Sequence, residues 1–339
     1  MNTLMNQQND ILLKVIDLAK YYPLKGGFFE RERGQVRAVD GISFEVQKAK
    51  ILGLVGESGS GKTTTGRMIV RVLQPSTGDV WFYNDTSHKT ELTRCTRIQM
   101  QPLRRHIQMI FQDPYGSLDP RMTILNIVGE PLRANRIAVG SEYKERVAES
   151  LGMVGLRPEY MNRYPHAFSG GQRQRIGIAR ALVTHPRLVV ADEPVSALDV
   201  SVQAQILNLL QDLQIKFDLT LIFIAHDLSV IRHICDRIAV MYLGKLVEVA
   251  DRSDLFSHPG HPYTEALLSI IPRPNPGMKT KPDLFKAAMN EIGATPSGCS
   301  FHPRCRHAED QCRTETPRLR ERAAGHQVSC HFDLNLEGI

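Results

Sequence analysis

Three short stretches of the chain hold residue types suited to a nucleoside triphosphate. "GESGSGKT", Gly56 to Thr63, has the spacing G-x-x-x-x-G-K-[ST]. Glycines there let backbone N–H groups turn inward around phosphates, the lysine reaches the β and γ phosphates, and the hydroxyl holds Mg²⁺. The binding set is Gly56, Glu57, Ser58, Gly59, Ser60, Gly61, Lys62, Thr63 and the following Thr64. "RLVVADEP" is an apolar run that ends in Asp192 and Glu193. Two carboxylates at the end of a buried strand stand where parallel α/β sheets hold ligands. Asp192 suits the outer shell of Mg²⁺, and Glu193 suits a base that polarises the attacking water. "FSGGQRQRIGIAR", residues 168–180, puts Ser169, Gly170 and Gly171 ahead of a basic helix that begins near Gln172. It offers a second place to receive an anion, since glycine permits close backbone approach and a helix N-terminus favours negative charge. A plain helix cap by Ser169 is compatible with this stretch, but explains one serine and one glycine rather than "GGQRQR". Gln112 in "IFQDP" and His226 after "LIFIAHDL" carry little meaning in isolation.

The elements around these stretches predict an α/β domain. "ILGLVGESGSGKTTTGRMIVRVL" reads as strand, glycine loop and helix, the opening of a parallel sheet. From about Thr123 to Phe168 the periodicity is helical, as in "EYKERVAESLGMVGL", which predicts a helical insert spanning about 113–168. Buried strands resume at "RLVVAD", "LTLIFIAH" and "RIAVMYLGKLVEVA". The sheet is therefore completed from both sides of the insert. Prolines between Pro272 and Pro296 predict a linker over 271–298, dividing a nucleotide-binding domain, 1–270, from a cysteine-bearing segment, 299–339.

The 339 residues are 42% hydrophobic and 23% charged, an ordinary globular composition. The apolar runs are strand-length, short of the roughly 18 residues of a membrane span. The start, "MNTLMNQQND", lacks the basic and apolar regions of a secretory signal, so a cytoplasmic location is expected. A net charge of +6 suits nucleotides, nucleic acid or an anionic leaflet, and equally a mixed solvated surface.

Taken in order, the phosphate loop, Gln112, "SGGQRQR", "ADEP", "SALD" and His226 resemble the nucleotide-binding subunit of an ATP-binding-cassette (ABC) transporter, over roughly Leu12 to Ala250. "YYPLKGGFF", "VRAVDGISF", "FQDPYGSLDPRM" and "HPYTEALLSIIP" narrow the resemblance to the F-type ATPase subunit of dipeptide and oligopeptide importers. The resemblance implies a P-loop NTPase fold: a mainly parallel core sheet, an antiparallel β subdomain, a helical insert and a small C-terminal extension. It implies two cassettes paired head to tail, each nucleotide lying between the phosphate loop of one and Ser169, Gly170, Gly171 and Gln172 of the other. Tyr22 would stack on adenine, with Tyr21 a rival; Gln112 would sense Mg²⁺ and the attacking water; Asp199 would communicate across the dimer; His226 would contact the γ-phosphate. The implied partners are a second ATPase subunit (a D-type heterodimer, or a homodimer), two membrane permeases and an extracytoplasmic binding protein, at the cytoplasmic face of the inner membrane and without nucleic acid. The implied cargo is peptides, with nickel, opines or sugars as alternatives. DNA-maintenance cassettes share the signature, but usually place long coiled coils ahead of it, whereas here Lys62 and Gly170 are 108 positions apart without sustained heptads.

Cys299, Cys305, Cys312 and Cys330 follow a C-x₅-C-x₆-C-x₁₇-C spacing in a tail with few large apolar residues. So small a region generally needs a staple, and a reducing cytoplasm favours a metal over disulfides. Four thiolates suit zinc or a [4Fe–4S] cluster. The resemblance points to the cluster; zinc completed by His302, His307 or His331, or four thiols packed as small hydrophobes, are the alternatives.

Overall fold

"ILGLV", "LVVA" and "TLIFIA" form strands buried along their whole length, as strands covered on both faces must be. The computed structural model describes residues 10–23, 35–84, 88–271, 296–334, 336 and 338. The strands in chain order are β1 (Ile11–Pro23), β2 (Gln35–Gln47), β3 (Ile51–Val55), β4 (Thr77–Tyr83), β5 (Lys89–Glu91), β6 (Ile107–Ile110), β7 (Leu188–Asp192), β8 (Thr220–Ala225), β9 (Arg237–Tyr242), β10 (Lys245–Asp251), β11 (Arg320–Ala323) and β12 (His326–Val328). The helices are α1 (Lys62–Ile69), α2 (Arg97–Leu103), α3 (Ile124–Ala134), α4 (Gly140–Met153), α5 (Gly170–Leu182), α6 (Val200–Phe217), α7 (Leu228–Ile234), α8 (Arg252–Ser257), α9 (Pro262–Ser269) and α10 (Asp310–Thr314).

β2, β1, β4 and β5 make a small antiparallel sheet. The main sheet runs β11-β12-β10-β9-β3-β8-β7-β6, and its β9-β3-β8-β7-β6 portion is parallel. Successive side chains of a strand point to opposite faces, and each strand feeds two cores accordingly. Leu52, Leu54, Leu188 and Val190 join the cluster shared with the antiparallel sheet. Ile51, Val55, Val189 and Ala191 join the cluster shared with α3 to α7. The insert is helical, as its periodicity predicts: α3 and α4 pack on α5 through Ile127, Val128, Val147, Leu151 and Ile176.

The cysteine-bearing tail is part of the main sheet. β12 pairs with β10 through Glu248↔Val328 and Val249↔Gln327, and β11 continues the order beyond it. Phe301 packs edge-on against Tyr242 and Tyr263. Buried Glu248 accepts hydrogen bonds from the backbone N–H groups of Gly260 and His261, and its Oε1 lies 2.7 Å from His326 Nε2. Strand pairing, an aromatic cluster and buried polar contacts thus supply the cohesion for which the sequence prompts a search for a staple. Most of the predicted linker, 272–295, lies outside the described residues.

Candidate nucleotide site

The phosphate loop joins β3 to α1. Gly61 has φ +102°, and a side chain there would collide with the carbonyl oxygen of Ala38; at Gly56 one would collide with that of Met241. These two contacts explain the glycines by sterics. Lys62 is buried and donates from Nζ to the carbonyl oxygens of Gly56 and Glu57, at 2.8 Å each. Burial lowers its pKa, opposed by the charges of Glu193, Asp192 and Glu57. Ser60 is buried beside it, while Ser58 and Gly59 form an exposed lip. Thr63 and Thr64 lie in the first turn of α1.

Thr63 Oγ1 donates to Asp192 Oδ1 at 2.8 Å. Asp192 is 1% exposed, and burial raises its pKa against the lowering effect of this bond. A carboxylate and a hydroxyl so placed fit a hard divalent cation, which takes oxygen ligands. The next residue, Glu193, adopts φ +44°, a left-handed conformation rare for a side chain of this size. Its backbone N–H bonds to Ile224 O, and its carboxylate meets two side chains. Gln112 Nε2 donates to Oε2 at 3.0 Å, and His226 Nδ1 lies 3.1 Å from the same oxygen. Gln112 follows β6, Glu193 follows β7 and His226 follows β8. The structure thus gathers Lys62, Thr63, Asp192, Glu193, Gln112 and His226 at the carboxyl ends of four adjoining parallel strands.

Ser169 N-caps α5 in a reciprocal pair: its Oγ accepts from Gln172 N–H, and Gln172 Oε1 accepts from Ser169 N–H. A side chain at Gly171 would press on Val202 of α6. Local packing therefore accounts for Ser169, Gly171 and Gln172, and Ser169 remains exposed. Asp199, the exposed N-cap residue of α6, accepts no capping hydrogen bond on its side chain. Tyr21 is tied to Asp40 through its hydroxyl, 2.8 Å, whereas Tyr22 is 41% exposed with Lys20 Nζ over its ring.

The four tail cysteines line one narrow cavity of about 10 Å³ with Phe301. All are free thiols. Burial pushes the Cys305 thiol up to about 11 and raises those of Cys299 and Cys330, against the thiolate form that binds metals. Among the described residues no group of three or more His, Cys, Asp or Glu side chains is arranged to hold a metal ion. This geometry gives the [4Fe–4S] and zinc expectations no support. Of the histidines offered as alternative zinc ligands, His302 bonds through Nδ1 to the carbonyl of Cys299 and His331 through Nε2 to that of Glu315.

Two site contacts have no counterpart in the motif pattern. Tyr263 OH accepts from the backbone N–H of Glu57 at 2.9 Å. Arg304 of the tail makes a paired contact with the Glu57 carboxylate. Both partners lie more than 200 residues from the loop, beyond the reach of local pattern.

This fold and this strand-end constellation are those of an ATP-binding cassette. The family description "ABC transporter" matches residues 39–196, and "Oligopeptide/dipeptide transporter, C-terminal region" matches 247–312. The chain is 47% identical to the oligopeptide transport ATP-binding protein AppF of Bacillus subtilis (strain 168), over 97% of this chain and 99% of that one. It is 45% identical to the dipeptide transport ATP-binding protein DppF of Haemophilus influenzae, over 96% and 98%. The dimeric, post-hydrolysis cassette MJ0796 bound to ADP and Pi superposes with a TM-score of 0.62 at 27% identity, covering 71% of this chain and 99% of that one. The chain belongs to the ATP-hydrolysing subunits of ABC transporters that carry the oligopeptide/dipeptide C-terminal region. The DNA-maintenance alternative is not favoured. Among the described residues no helix is long and apolar enough to cross a membrane.

Proposed function

We propose that this subunit hydrolyses ATP to energise peptide import, with the carboxylate of Glu193 acting as the base. The observation that carries the reading is the position of that carboxylate, turned by a left-handed backbone to within hydrogen-bonding distance of both Gln112 and His226. Gly56 to Thr64 cradle the triphosphate. Lys62, already directed at two loop carbonyls, exchanges them for phosphate oxygens. Thr63, Asp192 and Gln112 would hold Mg²⁺, which would supply neutralisation of phosphate charge. Glu193 orients the water and takes its proton, while His226 steadies the γ-phosphate.

Ser169, Gly170, Gly171 and Gln172 serve the nucleotide of the partner cassette, and Asp199 communicates across that junction. The exposed Tyr22, rather than the tethered Tyr21, supplies the adenine platform. The partner is a D-type subunit. The pair works at the cytoplasmic face beneath two permeases that receive peptide from an external binding protein. What speaks for a [4Fe–4S] cluster is the resemblance of the tail together with four thiols lining one cavity. Metal analysis after anaerobic purification decides it: about four irons per chain with acid-labile sulfide establish a cluster, and a metal-free folded tail removes it.

The transport reading is tested in proteoliposomes holding the complete complex. Peptide uptake that requires ATP and is lost in Glu193→Gln supports it; uptake of nickel, opines or sugars instead of peptide replaces the cargo.

A further inference from the structure

The second residue of the phosphate loop is a carboxylate, an unfavourable group to place beside a triphosphate. Glu57 lies between the Gly56 carbonyl and its own carbonyl, both held by Lys62 Nζ, and its side chain is 38% exposed at the loop. Its carboxylate receives two hydrogen bonds from one guanidinium: Arg304 Nη1 donates to Oε2 and Nη2 to Oε1, each at 2.9 Å. Such a fork fixes direction as well as charge.

Arg304 is itself pre-set. It ends the short 3₁₀ turn His302–Arg304, its guanidinium lies 5.8 Å from the ring centre of Tyr242 and 5.9 Å from that of Phe301, and its side chain is only 14% exposed. The turn is anchored on the cassette by Phe301 and by Arg306, which pairs with Glu265 at 2.8 Å. Meanwhile Tyr263 holds the backbone N–H of Glu57. The tail therefore grips this one loop residue by its side chain, and the cassette grips it by its backbone.

We propose that Arg304 is a positioning residue of the nucleotide site, which cancels the charge of Glu57 and draws its carboxylate away from the phosphates so that the loop receives ATP. The proposal rests on the reading of Gly56 to Thr64 as the triphosphate loop. It gives the C-terminal region a direct part in nucleotide affinity: a tail displaced from the cassette leaves an uncompensated carboxylate at the mouth of the site.

Equilibrium titration of the purified full-length chain with a fluorescent ATP analogue and Mg²⁺ tests it, with thermal melting as a check of folding. Arg304→Ala should weaken binding by about threefold to tenfold, the effect of one uncompensated charge near a partly solvated site. Arg304→Gln serves beside it should the alanine variant misfold. The loss should shrink as salt is raised, be smaller for the diphosphate analogue, and vanish when the same substitution is made in a Glu57→Gln background. A folded Arg304 variant with undiminished affinity overturns the proposal. So does a loss that is salt-independent and persists beside Glu57→Gln, since it would make Arg304 a purely structural contact. Lys62→Ala separates the underlying reading, because undiminished binding by that variant would show that the triphosphate is not held by this loop at all.

Discussion

Thr63 Oγ1 and Asp192 Oδ1 are 2.8 Å apart although Thr63 lies in the helix that follows β3 and Asp192 ends β7, strands that are not neighbours, β8 lying between them. The bond satisfies a buried carboxylate whose pKa burial has already raised. Thr63→Val keeps the shape and removes the donor. It should cost the nucleotide-free protein about 1–3 kcal/mol, the usual penalty for a buried acceptor left unpaired, read as a lower Tm. It should also raise the Mg²⁺ concentration needed for half-maximal hydrolysis. An unchanged Mg²⁺ requirement would remove Thr63 from the cation site.

Glu193→Gln retains the shape of the side chain and loses the base. Turnover by the assembled transporter should fall by about 10²–10⁴-fold, while ATP binding by the full chain stays close to that of the native protein. Wild-type turnover in this variant would transfer the base to another group.

The motifs and the parallel core were legible because they are local. A run of buried β-branched and aliphatic residues ending in "GESGSGKT" or "ADEP" declares both the strand and what stands at its end. The conformation of Glu193 was not legible: nothing in "ADEP" specifies φ +44°, adopted where the chain leaves β7 with Glu193 N–H still bonded to Ile224 O on β8. Nor did strand alternation separate Tyr21 from Tyr22, because β1 changes register between Val15 and Leu18, between Leu18 and Lys20, and again before Tyr21. The tail was the least legible part. "RERA" and "HQV" are too short and polar to announce strands, and they become β11 and β12 through long-range pairing, β12 with β10 and β11 with β12.

The placement of Ser169 on an exposed helix start leads to a prediction about a different molecule's nucleotide. In a heterodimer, Ser169→Arg should suppress hydrolysis of the ATP bound by the partner's phosphate loop and leave binding by this chain's own loop intact. Separate labelling of the two nucleotides reads both effects. Loss of binding at the loop of the same chain would contradict the shared arrangement.

His261 makes the docked tail sensitive to acid. The ring is 2% exposed, and its Nδ1 accepts the backbone N–H of Tyr263 as the cap of α9. Burial brings its pKa down to about 4 from 6.5, against the opposing pull of Glu248. Because the folded value lies below the unfolded one, the unfolded chain takes up the proton first. Stability from this group is therefore complete above pH 6.5, and it falls as the pH is lowered from 6.5 towards 4. The full effect is on the order of 3 kcal/mol. His261→Asn retains a capping acceptor and removes the titration. Its Tm should be the lower of the two near neutrality, where the native imidazole packs best, but should decline less than that of the native chain between about pH 6.5 and pH 4. Parallel declines in the two proteins would show that His261 is not the group that titrates.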